Sequence, residues 1–432
     1  MDRSKLPKSP PNAVLADGLF FPQREALGLD TRESTPGFKR QIIVLNAEVR
    51  SMKRVSLVMQ QAFGLTVSPN TIERIALEVG NDLETAAEAQ WPGVLTGEVI
   101  TPALAIVEFD GGRIRTRKTG FGPGVHLDAK GWNETKNAIF VSASSETSEV
   151  DPQPEPPTCF LDPGHVAKLT EVAKIKENTG VDDSLSGKEE KPSEPRQSES
   201  RPAPHKPQRV LRTVISSMKN SQEFGAQMAR EATRRRFGEA PRKAFVADGL
   251  ACNWTIHDKH FKDYVPVLDF THAVGYLFAA ALACWGRTEQ GWTAYIGWMR
   301  AAWQGDVAQV IEELKVHQAR VGLPPENASD DDPREQLRRI IGYLGNNRER
   351  MKYDEYRKEG LPTTSAWMES VVKEINYRVK GTEMFWNNPA GAEAILQIRA
   401  AALSEDGRLT RFMTNRPGRS TLRRSAPTQT AA

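Results

Sequence analysis

The sequence has 432 residues, of which 39% are hydrophobic and 26% are charged, and its net charge is +3. These values are typical of a globular protein of roughly two or three domains, and any affinity for polyanions has to come from local clusters. The three cysteines are widely spaced and form no CxxC pair, which argues against a disulfide framework and a zinc ribbon. No apolar run reaches the roughly 18 residues that span a membrane, and no signal-peptide pattern occurs, so we expect a soluble cytoplasmic protein.

Residues 1–38 are rich in proline and glycine without a helical or strand period, which predicts an irregular arm. Residues 39–95 follow a helical pattern in two pieces, RQIIVLNAEVRSMKRVSLVMQQAFG and LTVSPNTIERIALEVGNDLETAAEAQ, which are separated by a short turn containing Gly64. Two short helices joined in this way are the layout of a helix-turn-helix.

The second of these pieces carries a helix start signal. Ser68 or Asn70 can cap the helix, and Pro69 suits its first turn. An apolar face follows at helical spacing, made of Ile72, Ile75, Ala76 and Val79. Two interpretations remain open: a helical hairpin that only packs, and a DNA-binding helix whose contacts would be Asn70 and Arg74.

The hydrophobic period changes after residue 96. ALAIVEFDGGRIRTR predicts a strand, a Gly-Gly turn and a second strand, with Asp110 at the end of the first. KNAIFVSAS predicts a third strand, so we expect a β-meander within residues 96–143. Residues 144–208 contain 10 of the 28 prolines and no Trp or Tyr. This composition predicts a mostly disordered insertion, with a short helix around PGHVAKLTEVAKIKE.

Strands and helices alternate from residue 209 onward. RTVISSMKNSQEFGAQMAREATRRRFG predicts an amphipathic helix, KAFVADG a strand that ends at Asp248, and VPVLDF a strand that ends near Asp269. Because helical segments separate these strands, we expect parallel pairing added to the meander. Residues 273–360 predict a helical insertion rich in Trp and Ala, and residues 414–432 a basic tail.

The segment SAWMESVVKEINYRVKGTEMFW predicts a helix with two faces. A buried face is formed by Trp367, Met368, Val371, Val372, Ile375 and Val379. Glu369, Lys373, Asn376 and Lys380 recur at spacings of three and four on another face. Glu369 and Lys373 are either an exposed ion pair that contributes about 0.3–0.5 kcal/mol, or part of a functional site.

Three carboxylates stand out by position: Asp110 and Asp248 at predicted strand ends, and Glu369 in a first helical turn. Side chains at the strand ends of an α/β sheet project into a cleft. Two divalent cations held ~3.5–4 Å apart by shared carboxylates can stabilise the attacking and leaving oxygens of a phosphodiester displacement. Mg²⁺ favours oxygen ligands and retains water, so two or three carboxylates suffice. Taken singly, each of these acids also fits a plainer interpretation, in which it merely ends a strand.

In chain order, VEFDGG, VADGLACNW, VLDFTHAVGYL and ESVVKEINYRVKGTEMFW resemble the motifs of a DDE-type transposase from a bacterial insertion sequence, in the Mutator-like group. The resemblance covers roughly residues 96–402 and the helical hairpin before them. It implies an α/β fold, namely a ribonuclease-H-like mixed sheet with a helical insertion, preceded by a small all-α helix-turn-helix region. The catalytic domain would comprise residues 96–143 and 209–413.

The resemblance also implies a role for each motif residue. Asp110, Asp248 and Glu369 match three catalytic carboxylates that hold two Mg²⁺ or Mn²⁺ ions. Asp269 and His272 match a separate supporting motif. His272 would either contact DNA or the scissile phosphate as a catalytic residue, or be a structural histidine bonded to Asp269. Asp269 also ends a strand, and Asp248 is favoured as the ligand because Asp269 fits the motif with His272.

Further residues are expected to contact DNA. Asn376, Arg378 and Lys380 would hold phosphates, and Trp386 would either stack on a flipped base or belong to the core. The implied partner is double-stranded DNA, both the terminal inverted repeats of the element and the target. Because two ends must be brought together, we expect a homo-oligomer associated with the nucleoid and not with a membrane.

The implied reaction is metal-dependent cleavage at the element ends, which frees a 3′-hydroxyl that then attacks target DNA. Two alternatives stay open. One is a related nuclease that cuts without joining, and the other is an inactive or domesticated copy that binds DNA only.

Overall fold

A computed structural model describes residues 14–15, 18–19, 34–89, 97, 99–117, 130–169, 203–381 and 385–416. Most of the expected N-terminal arm, residues 170–202 of the expected insertion, and the basic tail beyond residue 416 lie outside the described residues. The strands are β1 (Val14–Leu15), β2 (Gly18–Leu19), β3 (Leu104–Arg117), β4 (Lys130–Ser144), β5 (Gln208–Ser217), β6 (Arg242–Ala247) and β7 (Val265–Leu268).

The helices divide into an N-terminal group, two crossover helices, a middle group and a C-terminal group. They are α1 (Pro36–Glu48), α2 (Met52–Phe63), α3 (Pro69–Glu88), α4 (Ser221–Arg234), α5 (Ala251–His260), α6 (Phe270–Trp285), α7 (Glu289–Trp303), α8 (Val307–Val321), α9 (Pro333–Asn347), α10 (Tyr353–Lys358), α11 (Ala366–Val379), α12 (Pro389–Leu403) and α13 (Arg408–Asn415).

Five strands form one mixed sheet in the order β5-β4-β3-β6-β7. Strands β3, β4 and β5 pair antiparallel, as a meander, whereas β6 and β7 run parallel to β3. The connection from β5 to β6 passes through α4, and that from β6 to β7 passes through α5. The α/β class predicted from the sequence is confirmed, with a mixed sheet and many helices. The two-residue strands β1 and β2 form a separate antiparallel pair.

Helices cover both faces of the central strand. The first residues of β3, Leu104 through Val107, are fully buried, as expected for a strand between two helical layers. Phe109 points to one layer, where its ring centroid lies 5.8 Å from that of Phe224 in α4. On the other face the backbone N–H of Met368 in α11 donates to a carboxyl oxygen of Glu108 at 2.9 Å. Helix α11 is therefore fixed directly against β3.

The prediction of a Gly-Gly turn after Asp110 was wrong, because β3 continues through both glycines without reversing direction. Gly112 pairs in register with Thr135 of β4. A Cβ at Gly112 would lie 2.7 Å from the Thr135 hydroxyl oxygen, so glycine here permits a close approach of the two strands. Asp110 is therefore inside β3, at the level where the pairing of β3 with β6 stops.

The sequence predicted a helix that begins at Arg212, but in the structure this helix begins nine residues later. Residues up to Ser217 form β5, and α4 starts at Ser221, where the Asn220 side chain accepts the backbone N–H of Glu223 at 2.9 Å. The β-branched run Thr213, Val214 and Ile215 favours a strand, and the capping asparagine separates it from the helix.

The prediction of disorder was wrong for residues 145–169 and 203–208, which the structure describes. The indole N–H of Trp303 donates to the carbonyl of Gln153 at 2.9 Å, and the Tyr295 hydroxyl donates to the carbonyl of Phe160 at 2.8 Å. Residues 163–169 are helical, within the segment predicted to hold a short helix. Helical residues elsewhere in the chain supply these partners, and the local composition carries no information about them.

Helices α1, α2 and α3 form the N-terminal helical region. The Ser68 hydroxyl caps α3 by accepting the backbone N–H of Thr71 at 3.1 Å, and Pro69 occupies the first turn. The apolar face of α3 is buried, and a Cβ at Gly80 would lie 2.5 Å from Ala394 of α12. This face of α3 therefore packs, and DNA contact by the start of α3 stays a prediction.

The middle group of helices, α6 to α10, is attached to the sheet through tyrosine hydroxyls. Tyr353 donates to the carbonyl of Leu268 at 2.9 Å, and Tyr356 to that of Pro266 at 3.0 Å, so α10 contacts the edge strand β7. Tyr343 of α9 donates to the carbonyl of Asp248 at 2.7 Å. Among the described residues, no helix combines the length and apolar character needed to cross a membrane.

Candidate active site

Three aspartates follow the last paired residues of neighbouring parallel strands. Phe109 of β3 pairs with Ala247 of β6, which pairs with Leu268 of β7. The next residues are Asp110, Asp248 and Asp269. Because neighbouring strands lie ~4.8 Å apart and all three aspartates directly follow the same row of paired residues, they share one edge of the sheet.

Asp248 is held in a tight turn after β6. One of its carboxylate oxygens accepts the side-chain amide of Asn253 at 2.5 Å and the backbone N–H of Leu250 at 3.3 Å. Gly249 has a φ of +90°, in the left-handed region that favours glycine. The position of Asp248 is thus fixed on both sides, by the start of α5 and by Tyr343 behind it.

Asp269 is fully buried and saturated with hydrogen bonds. Its carboxylate accepts from the backbone and hydroxyl of Thr271, from the backbone and hydroxyl of Ser365, and from Nδ1 of His272 at 2.7 Å. Burial alone would raise the pKa of Asp269, but the His272 bond and charge, with the Thr271 and Ser365 bonds, lower it to about 2. Asp269 therefore joins the start of α6 to the residue preceding α11.

The bond between His272 and Asp269 is one of the two roles expected for His272. A contact of His272 with DNA stays a prediction. The carboxylate of Asp269 is thus occupied by hydrogen bonds within the fold, and the choice of Asp248 over Asp269 as the candidate ligand stays a prediction.

Glu369 lies in the first turn of α11 and is exposed. Its carboxyl nevertheless has a raised pKa, first because neighbouring atoms displace water from it and then because the charge of Asp269 repels it. The charge of Asp110 acts in the same direction, while Lys373 and His272 partly offset it. Glu369 is thus electrostatically coupled to Asp269 and Asp110 at the sheet edge.

Sequence reasoning missed Glu108, which is fully buried two residues before Asp110 on the same face of β3. One carboxyl oxygen accepts the Met368 N–H, and the other has no hydrogen-bond partner among the described residues. Burial first, and then the charges of Asp269 and Glu369, raise the pKa of Glu108 to about 8. An acid inside the apolar run AIVEF was the signal that could have revealed it.

The carboxylates form a cluster but not a closed metal site. Within the described residues, no three His, Cys, Asp or Glu side chains converge closely enough to hold a metal ion. What the structure brings together is a sheet edge with Asp110 and Asp248, and a helix that places Glu369 within electrostatic range of Asp110.

Two of the expected DNA contacts are packed inside the fold. Arg378 is buried, and its guanidinium donates to the carbonyl of Asn46 at 2.7 Å, to the side-chain oxygen of Asn46 at 2.7 Å and to the carbonyl of Arg50 at 3.1 Å. The expectation that Arg378 holds phosphate was therefore wrong, because its donors bind the end of α1. The indole N–H of Trp386 donates to the carbonyl of Val379 at 2.9 Å, which fits the core alternative.

The remaining expected DNA contacts lie nearer the surface. Asn70 is exposed in the first turn of α3, and Arg74 lies 3.7 Å from a carboxylate oxygen of Glu78. Asn376 and Lys380 are half-buried near the end of α11. DNA binding by these four residues stays a prediction.

Comparison with known proteins gives no family. No protein-family model matches the chain, and no curated protein matches it.

Proposed function

We propose that this protein is a DDE-type DNA transposase that cuts phosphodiester bonds at the ends of a mobile element and joins the freed 3′-hydroxyl to target DNA. The observation that carries this proposal is the placement of Asp110 and Asp248 at one sheet edge, with Glu369 coupled to Asp110 from α11. The order of the sheet also supports a ribonuclease-H-like domain, since it is a meander with two parallel strands added.

The donor set suits Mg²⁺ or Mn²⁺, since these ions prefer carboxylate oxygens. Asp110, Asp248 and Glu369 would hold two such ions. Burial first, and then the charges of Asp269 and Asp110, raise the pKa of Glu369, and a cation between the carboxylates would offset that repulsion. When bound, the ions would stabilise charge on the attacking and leaving oxygens of the phosphodiester.

The residues around the three carboxylates position them. Asp269 links the start of α6 to Ser365, so it fixes the point from which α11 begins. Glu108 holds the first turn of α11 through Met368, next to Glu369. Asn253 orients the carboxylate of Asp248. A mispositioned carboxylate costs rate steeply, so these supports belong to the site.

The substrate of the proposed enzyme is double-stranded DNA, both terminal inverted repeats and target. The start of α3, with Asn70 and Arg74, is the segment that would recognise the repeats. Because two element ends must meet, the active form would be a homo-oligomer associated with the bacterial nucleoid.

A second candidate is an inactive or domesticated copy that binds DNA without cutting it. The observation in its favour is that no three ligands converge among the described residues. A joining assay separates the possibilities: a labelled duplex carrying the DNA that flanks the gene is incubated with supercoiled plasmid, protein and Mg²⁺. Label joined to plasmid supports the transposase. Cut label without joining indicates a nuclease, and bound but uncut label indicates the second candidate.

A further inference from the structure

Strands β3 and β4 continue as a two-stranded ribbon beyond the five-stranded sheet. The pairing of β6 with β3 ends at Phe109, and that of β5 with β4 ends at Lys136, but β3 and β4 stay paired as far as Arg117. Along this extension the buried residues Ile114 and Thr116 alternate with more exposed arginines. Those arginines are Arg113, Arg115 and Arg117.

The alternation places the three arginines on one face of β3, because side chains of a strand have a period of two. Successive arginines are therefore ~6.8 Å apart along the strand. A row of guanidinium groups at regular spacing suits the repeating phosphates of a nucleic-acid strand, which arginine binds with two parallel hydrogen bonds.

An exposed tryptophan orders the cations of this ribbon. Trp132 of β4 pairs directly with Arg115 and keeps 38% of its surface exposed. The guanidinium carbon of Arg115 lies 4.7 Å from the Trp132 ring centre, and the Lys380 Nζ lies 5.5 Å from it. Two cations from different elements are thus held at one aromatic side chain, which reduces the conformational freedom they would lose on binding a phosphate.

The outer edge of the ribbon is also fixed. Trp386 donates its backbone N–H to the carbonyl of Arg115 at 2.9 Å, and its carbonyl accepts the N–H of Arg117 at 2.9 Å. Among the described residues of the ribbon, one carboxylate lies on the same face: Glu134 pairs with Arg113 in register, and its side chain binds the Lys136 ammonium at 2.9 Å. Of the described residues on this face, those beyond Arg113 are therefore the more basic.

We propose that Arg113, Arg115, Arg117, Trp132 and Lys380, here called the ribbon strip, bind the phosphate backbone of double-stranded DNA. Arg113 is three residues beyond Asp110 along β3, a distance of ~10 Å, and the period of two puts it on the opposite face of the strand, so the strip would hold phosphates across the ribbon from the carboxylates. The inference rests on the proposed function for its substrate, and it assigns the ribbon to that substrate.

The test measures binding without cleavage, in EDTA, by fluorescence anisotropy of a fluorescein-labelled duplex of mixed sequence. The double variant Arg115→Ala with Lys380→Ala should bind more weakly. Its slope of log affinity against log salt should be shallower by roughly 2, because each lost phosphate contact removes about 0.9. The matched control is Lys315→Ala with Arg320→Ala, which removes the same charges from exposed positions on α8. The control should keep the wild-type slope.

Substitutions of Trp132 test whether the arrangement of the strip, and not only its positive charge, contributes to DNA binding. Trp132→Ala should weaken binding although no charge is removed, and Trp132→Phe should restore it. Circular dichroism checks that each variant is folded. Wild-type affinity and slope in the double variant would overturn the proposal, and wild-type affinity in Trp132→Ala would overturn the role of the ring. Loss of slope in the control pair equal to that in the strip pair would also overturn it.

The outcomes distinguish this inference from the proposed function. If the wild type cuts plasmid with Mg²⁺ while the strip variants bind DNA with wild-type affinity, only the proposal that the strip binds DNA is wrong. If the strip variants lose affinity but the wild type never cuts, the strip stands and the transposase activity does not.

Discussion

Gly249 immediately follows the candidate ligand Asp248, and an added methyl group at this position should perturb the candidate site strongly. Its φ is +90°, and a Cβ there would lie 2.6 Å from the Tyr343 hydroxyl oxygen and 2.8 Å from a methyl carbon of Leu268. Gly249→Ala therefore adds backbone strain and a steric clash together.

The two costs can be estimated separately. The left-handed conformation costs a residue with a Cβ about 1–2 kcal/mol. Forcing a methyl into a packed site costs about 1–3 kcal/mol, since either Tyr343 or Leu268 must move. We expect Gly249→Ala to lower the free energy of unfolding by about 2–5 kcal/mol. Gly407 has a φ of +69° and a ψ of +18°, in the left-handed region, with nothing within 4 Å of a Cβ, so Gly407→Ala carries only the strain, about 1–2 kcal/mol.

Urea unfolding followed by tryptophan fluorescence compares the two variants with the wild type. Because Tyr343 also donates to the Asp248 carbonyl, Gly249→Ala should reduce DNA cleavage, whereas Gly407→Ala should not. Equal destabilisation by the two substitutions would refute the reasoning, since it would mean that the contact with Tyr343 and Leu268 does not constrain this turn.

Two further predictions concern buried carboxyls, and both are measured by urea unfolding against pH without added divalent ions. The fold raises the pKa of Glu108 from 4.5 to about 8, so the free energy of unfolding falls as pH rises between these values. Glu108→Gln removes this fall. The free energy of unfolding of the variant should therefore increase by about 3 kcal/mol relative to that of the wild type between pH 5 and pH 8. The fold lowers the pKa of Asp269 to about 2, so its ionised carboxylate contributes about 2 kcal/mol to the free energy of unfolding above pH 4, and this contribution is lost as pH falls through 2. Asp269→Asn should lack this pH-dependent contribution. A pH-independent difference from wild type would contradict either prediction.

Local pattern was sufficient where the chemistry of a segment is self-contained. Ser68 and Pro69 predicted the start of α3, and the helix there is capped by Ser68. The apolar strand KAFVA predicted that Asp248 follows a strand end, and it does. Both signals depend on a few adjacent residues, so no tertiary information was needed.

The failures share a dependence on distant partners. Gly111 and Gly112 look like a turn in isolation, but close pairing with β4 keeps the strand straight. Arg378 looks like a surface cation in the pattern of α11, yet carbonyls at the end of α1 bind it. Glu108 falls within an apolar run and has its one described hydrogen bond with α11. None of these contacts is encoded in the neighbouring sequence.

Glu369 gives the most direct test that this carboxylate cluster cuts DNA. The measurement is Mg²⁺-dependent nicking of a supercoiled plasmid that carries the DNA flanking the gene, with the wild type, Glu369→Gln and Glu374→Gln compared at equal DNA occupancy. Glu374 lies on the same helix, beside Arg399, and its substitution is the matched control. We predict that Glu369→Gln binds DNA but does not nick it, while Glu374→Gln nicks as the wild type does. Nicking by Glu369→Gln at the wild-type rate, or no nicking by the wild type, would contradict the account.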